Sequence, residues 1–494
     1  MKRRMTKDGV VRQAVQGVPT GVDRRDFLKA SALVAGMGVW VATGSSVKGV
    51  DEQSANEKIN IACIGVGGKG DSDSDHCALH GNVVAICDVD EKRLNAKAER
   101  SIKNHNKEKI TPFAKAKKYT DFRKMFDEMG KEIDACTIST PDHTHAVATM
   151  HAIKMGKHVY CQKPLTHDVF EARQIRLAAA EHKVSSQMGN QGTRNNKLRE
   201  GVDAIRQGVI GAVKEFHVWT NRPIWPQAPK VMAALPAQPV PDYMHWEEWL
   251  GTAPQRAYNG GYAPFNWRGW WDFGTGALGD MGCHTVNMPF MALKLEYPTS
   301  LQGECGDLNP ETYPSWAKVK YEFPARGELP PVTMHWYEGH LKDKSQVLPP
   351  SELVEKVMSE YNKKHNKNDK LRDSGSIIVG EKGIIYSPDD YGGTWDLLPA
   401  DAFADVKITP VLPRNSDDGD EGNKIEWLEA ARGGKPSLGN FSYAGLLAET
   451  VLLGNIAIKM QGKKLEWDGP NLNFSNDADA NKLLKRTYRA PWSL

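Results

Sequence analysis

The sequence predicts a two-domain α/β protein, in which a doubly wound parallel sheet is followed by a larger α+β domain. Between residues 58 and 190, short apolar strand-like runs alternate with helical stretches, as in a parallel sheet covered on both faces. From residue 191 this alternation stops, and strand-like segments occur at 318–323, 332–337, 376–379 and 383–386. At 494 residues the chain is long enough for two or three domains.

The charge and the cysteine content give no indication of a nucleic-acid partner or of a metal site. The net charge is +3, from 64 basic and 61 acidic residues, so electrostatics give no reason to expect nucleic acid as a partner. The seven cysteines are odd in number, and no two of them have Cys-x-x-Cys spacing. We therefore expect reduced, structural cysteines and no metal site.

Residues 1–57 precede the fold and resemble a twin-arginine export signal. The pair Arg24-Arg25 follows Asp23, where such signals usually have Ser or Thr, and an apolar run of small residues extends from 30 to 44. That run is shorter than the ~20 residues a membrane-spanning helix needs. The expected partner is the twin-arginine export machinery, with a periplasmic location and no stable membrane insertion after export.

The segment from Lys58 to Asp90 predicts a dinucleotide site. An apolar strand leads into Gly65, Gly67 and Gly70, which form the Gly-x-Gly-x-x-Gly pattern of a Rossmann domain. The next strand ends at Asp88, an acid that would accept both ribose hydroxyls of NAD and repel the 2′-phosphate of NADP. The cofactor predicted is therefore NAD, with NADP disfavoured. The acids at 71, 73 and 75 lie close to the expected phosphates and predict a short or displaced helix.

The later strands of the parallel sheet also end in polar residues. Thr140, Lys163 and Asn190 each follow a strand-like run. Ligands of doubly wound sheets bind beyond the carboxyl ends of the strands, so these residues are expected beside the glycine-rich turn.

Three motifs in this order make the chain resemble the Gfo/Idh/MocA oxidoreductases, the glucose-fructose oxidoreductase and inositol dehydrogenase family. They are the glycine motif, Thr140-Pro-x-x-x-His145 and Lys163-Pro164, and the resemblance covers about residues 58–494. The family usually has Glu-Lys-Pro, whereas this chain has Gln162. The resemblance implies a catalytic and substrate-orienting role for Lys163. It also implies an open, mostly antiparallel sheet in residues 191–494, which would serve the substrate and a homo-oligomer. The expected cofactor contacts are Thr140, His145, Gln162 and Asn190.

Asp280 and His284 are four residues apart, so a helix starting near Gly279 would present them on one face. The pair matches the family's Asp-x-x-x-His, which completes a catalytic site with the lysine. An imidazole titrates in the range required of a base that removes a hydroxyl proton. The alternatives are a core histidine and a metal site that includes Cys283, although Cys283 would point to another face than His284.

The aromatic stretch before this helix supplies candidate substrate contacts. Trp270 and Trp271 could stack on a sugar ring, with Arg268 and Asp272 as hydroxyl partners. The tryptophans could equally belong to the core or to an oligomer interface.

These features predict an NAD(P)-dependent oxidoreductase that acts on a hydroxyl-bearing carbon of a sugar, glycoside or polyol. Two alternatives stay open at this point. One is an NAD-dependent glycoside hydrolase of the same fold, acting by transient oxidation, although that branch lacks the Lys-Pro lysine. The other is a non-catalytic sugar-binding sensor.

Overall fold

The computed structural model describes residues 58–416 and 419–494. The export signal predicted for residues 1–57 lies outside this range and stays a prediction. The first part of the chain forms a six-stranded parallel sheet of order β5-β2-β1-β6-β7-β8, beside a small β3-β4 hairpin. The strands are β1 (Asn60–Ile64), β2 (Asn82–Cys87), β3 (Ile102–Lys103), β4 (Lys109–Ile110), β5 (Lys117–Tyr119), β6 (Ala135–Ile138), β7 (His158–Cys161) and β8 (Ser186–Met188).

Helices cover both faces of this sheet, and three of them begin at an aspartate whose side chain accepts backbone N–H groups of the first turn. These caps are Asp90, Asp121 and Asp168. The sequence predicts a helix from Glu91 to His105, but the helix ends at Ala98 because the chain then turns into the β3-β4 hairpin. The helices are α1 (Lys69–His80), α2 (Glu91–Ala98), α3 (Phe122–Met129), α4 (Asp142–Lys154) and α5 (Val169–Glu181).

The rest of the chain builds a nine-stranded sheet of order β15-β14-β13-β9-β12-β11-β10-β16-β17. All neighbouring strands are antiparallel except β9 and β12, which confirms the predicted mostly antiparallel sheet. The strands are β9 (Val213–Thr220), β10 (Ser300–Gly306), β11 (Trp316–Phe323), β12 (Val332–Gly339), β13 (Gly375–Gly380), β14 (Ile384–Ser387), β15 (Asp396–Leu398), β16 (Lys464–Asp468) and β17 (Asn473–Phe474).

Each face of this sheet has its own apolar layer. Phe216, Trp336 and Tyr321 belong to the main core, together with side chains of α8 and α12. Trp219 and Tyr337 point to the other face and pack with α10 (Ser351–His365). The helices are α6 (Asn196–Arg206), α7 (Trp246–Leu250), α8 (Gly276–Thr285), α9 (Asn287–Ala292), α10 (Ser351–His365), α11 (Gly419–Ala431), α12 (Phe441–Lys459) and α13 (Ala478–Lys482).

Helix α12 is long and apolar enough to cross a bilayer, but 83% of its most apolar window is buried inside the protein. It packs against α5, α8 and β10, while α11 packs against α1. The carboxyl-terminal helices therefore return to the parallel sheet, and they hold α8 close to the carboxyl ends of its strands.

Candidate active site

A cavity of about 440 Å³ opens between the glycine-rich turn, the carboxyl ends of the parallel strands and α8. The structure brings most of the residues predicted from the sequence to its wall. Those that line it are Gly65, Gly67, Asp88, Thr140, His145, Gln162, Lys163, Arg268, Asp280 and His284.

The glycine-rich turn fits a pyrophosphate. Gly65 has a φ of +76°, and a Cβ atom on Gly70 would lie 1.9 Å from the Gly65 carbonyl oxygen, so both positions require glycine. Gly70 thus packs against the backbone of the turn and does not line the cavity. Gly68, the N-cap of α1, has no side chain, so no side-chain oxygen occupies the N-terminus of α1, where a phosphate would bind. The amides of Gly70 and Asp71 donate to the carbonyl oxygens of Gly67 and Gly68.

Asp88 sits at the end of β2, where the ribose of a bound dinucleotide is expected. Its two carboxylate oxygens accept hydrogen bonds from Val66 N (2.9 Å) and Asp90 N (3.0 Å), and burial raises its pKa. Arg93, which the sequence argument missed, also lines the cavity and lies beside Gly67. An arginine there could accommodate a 2′-phosphate, so the acid and the arginine favour different nicotinamide nucleotides.

His145 connects two of the strand-end turns. Its Nδ1 lies 2.8 Å from the Pro164 carbonyl oxygen, and its Nε2 lies 2.8 Å from that of Thr140. Carbonyl oxygens only accept, so both ring nitrogens donate. Burial alone would lower the pKa of His145, but Cys161 and Asp142 raise it to about 9. The imidazolium thereby holds Thr140 and the Lys163-Pro164 turn at the cavity wall.

Lys163 reaches from the end of β7 to α8. Its Nζ lies 2.7 Å from Asp280 Oδ1 and 3.0 Å from the Asp280 carbonyl oxygen. The same carboxylate is 3.2 Å from Arg268 Nε and 3.3 Å from Arg222 Nε. Burial raises the pKa of Asp280, but Lys163 and Arg268 outweigh that effect and hold it well below its ordinary value. Asp280 is therefore an anion that fixes three cationic side chains around the cavity.

His284 lies one turn further along α8. Its Nδ1 is 2.8 Å from Asn190 Oδ1, and the amide group of Asn190 donates to the Cys283 carbonyl oxygen. The amide oxygen can only accept, so Nδ1 carries the hydrogen and Nε2 keeps its lone pair. Burial and the charge of Lys163 lower the pKa of His284 well below its ordinary value. Asn190 thus lies behind the histidine and sets its tautomer, away from the cavity wall.

Gln162 stands where the resemblance would place a glutamate, and its hydrogen-bond partner explains why an amide is present there instead. Its Nε2 donates to Asp73 Oδ2 (2.8 Å), while Asp73 Oδ1 pairs with the fully buried Lys424 (2.6 Å). A glutamate at 162 would place two carboxylates within hydrogen-bond distance, where they would repel each other.

Helix α1 runs unbroken for 12 residues, so the prediction that its acids shorten it is wrong. Those acids have cationic partners instead, since Asp71 and Asp75 both pair with Lys97.

Three predicted substrate contacts do not line the cavity. Trp270 is buried in an aromatic cluster, with its ring centroid 4.7 Å from that of Tyr262. Trp271 lies 3.7 Å from the Tyr313 ring in the core, and Asp272 pairs with Arg256. Burial of large apolar rings decided these positions, which corrects the substrate assignment in favour of the core alternative. Arg268 does line the cavity, but two carboxylates, Asp142 and Asp280, engage it.

Arg222 and Tyr391 also line the cavity, although no sequence motif indicated them. Arg222 follows the carboxyl end of β9, and a charged residue directly after a strand is a signal from which a site residue could have been predicted. Tyr391 places its ring edge-on to His284, with 4.7 Å between the centroids. It lies in a turn far along the chain, and no local pattern indicates its role.

Two protein-family models match this chain. Residues 59–190 match an oxidoreductase family model described as an NAD-binding Rossmann fold, and residues 209–329 match the C-terminal alpha/beta domain of the same family. The chain belongs to the Gfo/Idh/MocA oxidoreductase family.

Curated relatives match this chain over limited segments. A 1,5-anhydro-D-fructose reductase of Ensifer adhaerens is 38% identical over 91 residues, 17% of this chain and 27% of its own length. A glycosyl hydrolase family 109 protein 2 of Shewanella sp. is 29% identical over 168 residues, 31% of this chain and 36% of its own length. The matches therefore span well under half of either relative.

A similar fold occurs in the WlbA dehydrogenase from Bordetella pertussis, solved in complex with NADH and UDP-GlcNAcA. The TM-score is 0.54 at 16% sequence identity, with 83% of this chain and 99% of that chain covered. At this identity the similarity concerns the fold alone.

Proposed function

We propose that the protein is an NAD(P)-dependent oxidoreductase that transfers a hydride between a nicotinamide cofactor and a hydroxyl-bearing carbon of a sugar, glycoside or polyol. The observation that carries the proposal is the neutral His284, held with its Nε2 lone pair free, in the same cavity as Lys163 and the glycine-rich turn. The carbohydrate class rests on the relative named as a 1,5-anhydro-D-fructose reductase.

His284 acts as the base in this proposal. Asn190 holds Nδ1–H, so Nε2 is the nitrogen that accepts the hydroxyl proton during oxidation and returns it during reduction. Its lowered pKa keeps the imidazole neutral at pH 7, the form that can accept a proton. Tyr391 packs edge-on to the ring and limits its rotation.

Lys163 positions the reacting oxygen. An ammonium group has three N–H donors, and two acceptor atoms of Asp280 lie within hydrogen-bond distance of Nζ. The third donor can bind the substrate oxygen, where negative charge develops as the proton leaves. A nicotinamide bound beside these groups would supply the hydride-accepting or hydride-donating chemistry.

The pyrophosphate would be held by Gly65, Gly67 and the N-terminus of α1, and the ribose by Asp88. Asp88 favours NAD in this proposal. The predicted twin-arginine signal implies that such a cofactor would be bound before export, since that route carries folded proteins.

The test starts with the nucleotide. Protein purified without added cofactor is denatured, and mass spectrometry identifies any released NAD(H) or NADP(H). The protein is then incubated with a panel of sugars, glycosides and polyols while NADH absorbance is followed. Retention or binding of a nicotinamide nucleotide and sugar-dependent redox change are expected. A protein that neither carries nor binds either nucleotide would exclude the proposal.

A second candidate is an NAD-dependent glycoside hydrolase, favoured by the relative named as a glycosyl hydrolase family 109 protein. Transient oxidation of a ring carbon would acidify the neighbouring carbon and permit elimination. Nitrophenyl glycosides with NAD separate the two activities. Release of nitrophenol without net NADH supports the hydrolase, whereas NADH formation without nitrophenol supports the dehydrogenase.

A further inference from the structure

Glu215, His217 and His335 form a cluster on the nine-stranded sheet, outside the cavity described above. Glu215 and His217 are two residues apart on β9, so they point to the same face of the sheet. His335 on β12 is the direct neighbour of His217 in the parallel β9-β12 pair. Their neighbours Phe216 and Met334 point to the opposite face, which packs in the main core with residues of α8. The cluster therefore lies across the sheet from the helix that carries Asp280 and His284.

The ligand atoms of the three side chains lie within 4.8 Å of one another. The imidazoles of His217 and His335 are stacked, with centroids 4.6 Å apart and ring planes 7° apart. Glu215 Oε1 lies 3.6 Å from His217 Nε2, and Glu215 Oε2 lies 3.7 Å from His335 Nε2. Both distances are too long for good hydrogen bonds. Two neighbouring ligand atoms of a tetrahedral Zn²⁺ site lie about 3.3 Å apart. The lone pair of an imidazole nitrogen lies in the ring plane, so the two parallel rings do not point at one ion as they stand. Binding would therefore require rotation of His335, the more exposed of the two histidines.

His217 supplies an independent indication of a ligand. It is only 3% exposed, and its Nε2 has no hydrogen-bond partner among the described residues, although it faces the carboxylate. A buried polar atom without a partner is costly, so such atoms call for a water or an ion.

The other ring nitrogen of His217 has a partner of the kind that metal-binding histidines have. Its Nδ1 lies 2.9 Å from the Tyr337 hydroxyl, which can accept the Nδ1 hydrogen and leave the Nε2 lone pair for a metal.

We propose that Glu215, His217 and His335 bind one divalent transition-metal ion of the Zn²⁺ class, with water completing its coordination. Two imidazoles and one carboxylate form a donor set that suits Zn²⁺ and excludes Mg²⁺ and Ca²⁺, which prefer all-oxygen sites. The ion would join β9 to β12 at the only parallel junction among the nine strands described. It would stabilise that junction without entering the redox chemistry.

The experiment uses the full chain, stripped of metal with EDTA and dialysed. Zn²⁺ is titrated in competition with a chromophoric chelator, and Co²⁺ is added separately to record the absorption of its d electrons. Glu215→Gln and His335→Gln should each bind Zn²⁺ at this site at least about tenfold more weakly than the wild type. At Zn²⁺ concentrations that saturate the wild-type site, the wild type should therefore bind one Zn²⁺ more than either variant. Zn²⁺ should raise the melting temperature of the wild type more than that of either variant.

A matched control comes from a second His/His/Glu group, formed by His80, His105 and Glu421. His105 is exposed, so His105→Gln should leave the Co²⁺ spectrum of the proposed site unchanged. Circular dichroism checks folding, and Glu215→Gln decides the matter if His335→Gln fails to fold, because Glu215 is 41% exposed and the change keeps its shape. Equal Zn²⁺ stoichiometry and affinity in wild type and Glu215→Gln would overturn the proposal.

Discussion

Lys163 Nζ lies 2.7 Å from Asp280 Oδ1 and 3.0 Å from the Asp280 carbonyl oxygen, so the lysine contacts both the side chain and the backbone of one residue. This double contact ties the end of β7 to α8. Because His284 follows on the same helix, the ion pair also sets the separation between the proposed oxygen-binding group and the proposed base.

The first prediction follows from that shared placement. Lys163→Ala and His284→Ala should each lower turnover by about 10² or more, the range expected for loss of a charge-stabilising donor or a general base. The double variant should be little slower than either single variant, because both groups act on the same transition state. Steady-state kinetics with the best substrate from the sugar panel measures all three.

Nucleotide binding serves as the control for these variants, since neither residue belongs to the glycine-rich turn. Fluorescence titration with NADH should give dissociation constants close to that of the wild type. Near-normal turnover of His284→Ala with every substrate would make His284 a core histidine and remove it from the mechanism.

The second prediction concerns the choice of nucleotide. Asp88→Ala should weaken NAD binding and reduce discrimination against NADP, because the acid is expected at the ribose hydroxyls. Adding Arg93→Ala to that variant should reduce NADP binding again, since Arg93 is the cationic neighbour available to a 2′-phosphate. Isothermal titration with both nucleotides measures the effect. An unchanged NAD/NADP ratio in Asp88→Ala would place the ribose elsewhere.

The third prediction tests why this chain has glutamine at 162. Gln162→Glu would bring a second carboxylate to Asp73 Oδ2, now 2.8 Å from the amide nitrogen. The fold would raise the pKa of the new acid, so stability should be lost as the pH rises through that pKa. The free energy of unfolding at pH 8 should fall by about 1–3 kcal/mol.

Urea denaturation at pH 5 and pH 8 measures this loss, and Gln162→Met is the matched control. Methionine has a similar length and removes only the hydrogen bond, so its effect should be the same at both pH values. An equal pH dependence for the two variants would mean that the charge at 162 is tolerated.

The fourth prediction concerns Glu338, a fully buried acid on β12. Burial raises its pKa to about 7, although the Trp336 indole N–H (2.7 Å) and the Leu278 backbone oppose the shift. The unfolded chain ionises this group near its ordinary value, so the wild type loses stability as the pH rises from about 4.5 to 7. Glu338→Gln keeps the acceptor for Trp336 and should remove this loss.

At pH 8 the variant should be more stable than the wild type by up to about 3 kcal/mol, and the difference should vanish near pH 4. Thermal or urea unfolding across pH 4–8 measures it. Glu322→Gln is a contrast of opposite sign, because hydrogen bonds from Lys320, Ser300 and Lys464 lower the pKa of Glu322 to about 2. A constant difference between Glu338→Gln and wild type across this range would refute the prediction.

Local patterns were enough for the parallel sheet and the core of the site. The strand-turn-helix at 60–80 requires glycine because residues close in the sequence would clash with a side chain in the turn. The carboxyl ends of parallel strands always meet at one edge of the sheet. Asp88 could be named from its position at the end of a strand, whereas Lys163, Asp280 and His284 were named because their motifs resemble those of a known family.

The remaining assignments depended on contacts between distant segments, which only the tertiary structure decides. Trp270 and Trp271 have the chemistry of sugar-stacking residues, yet packing against Tyr262 and Tyr313 buries them in the core. Gln162 became intelligible only beside Asp73, and Arg222 only beside Asp280. The metal cluster depends on strand register, because a shift of one residue between β9 and β12 would turn His217 and His335 to opposite faces of the sheet.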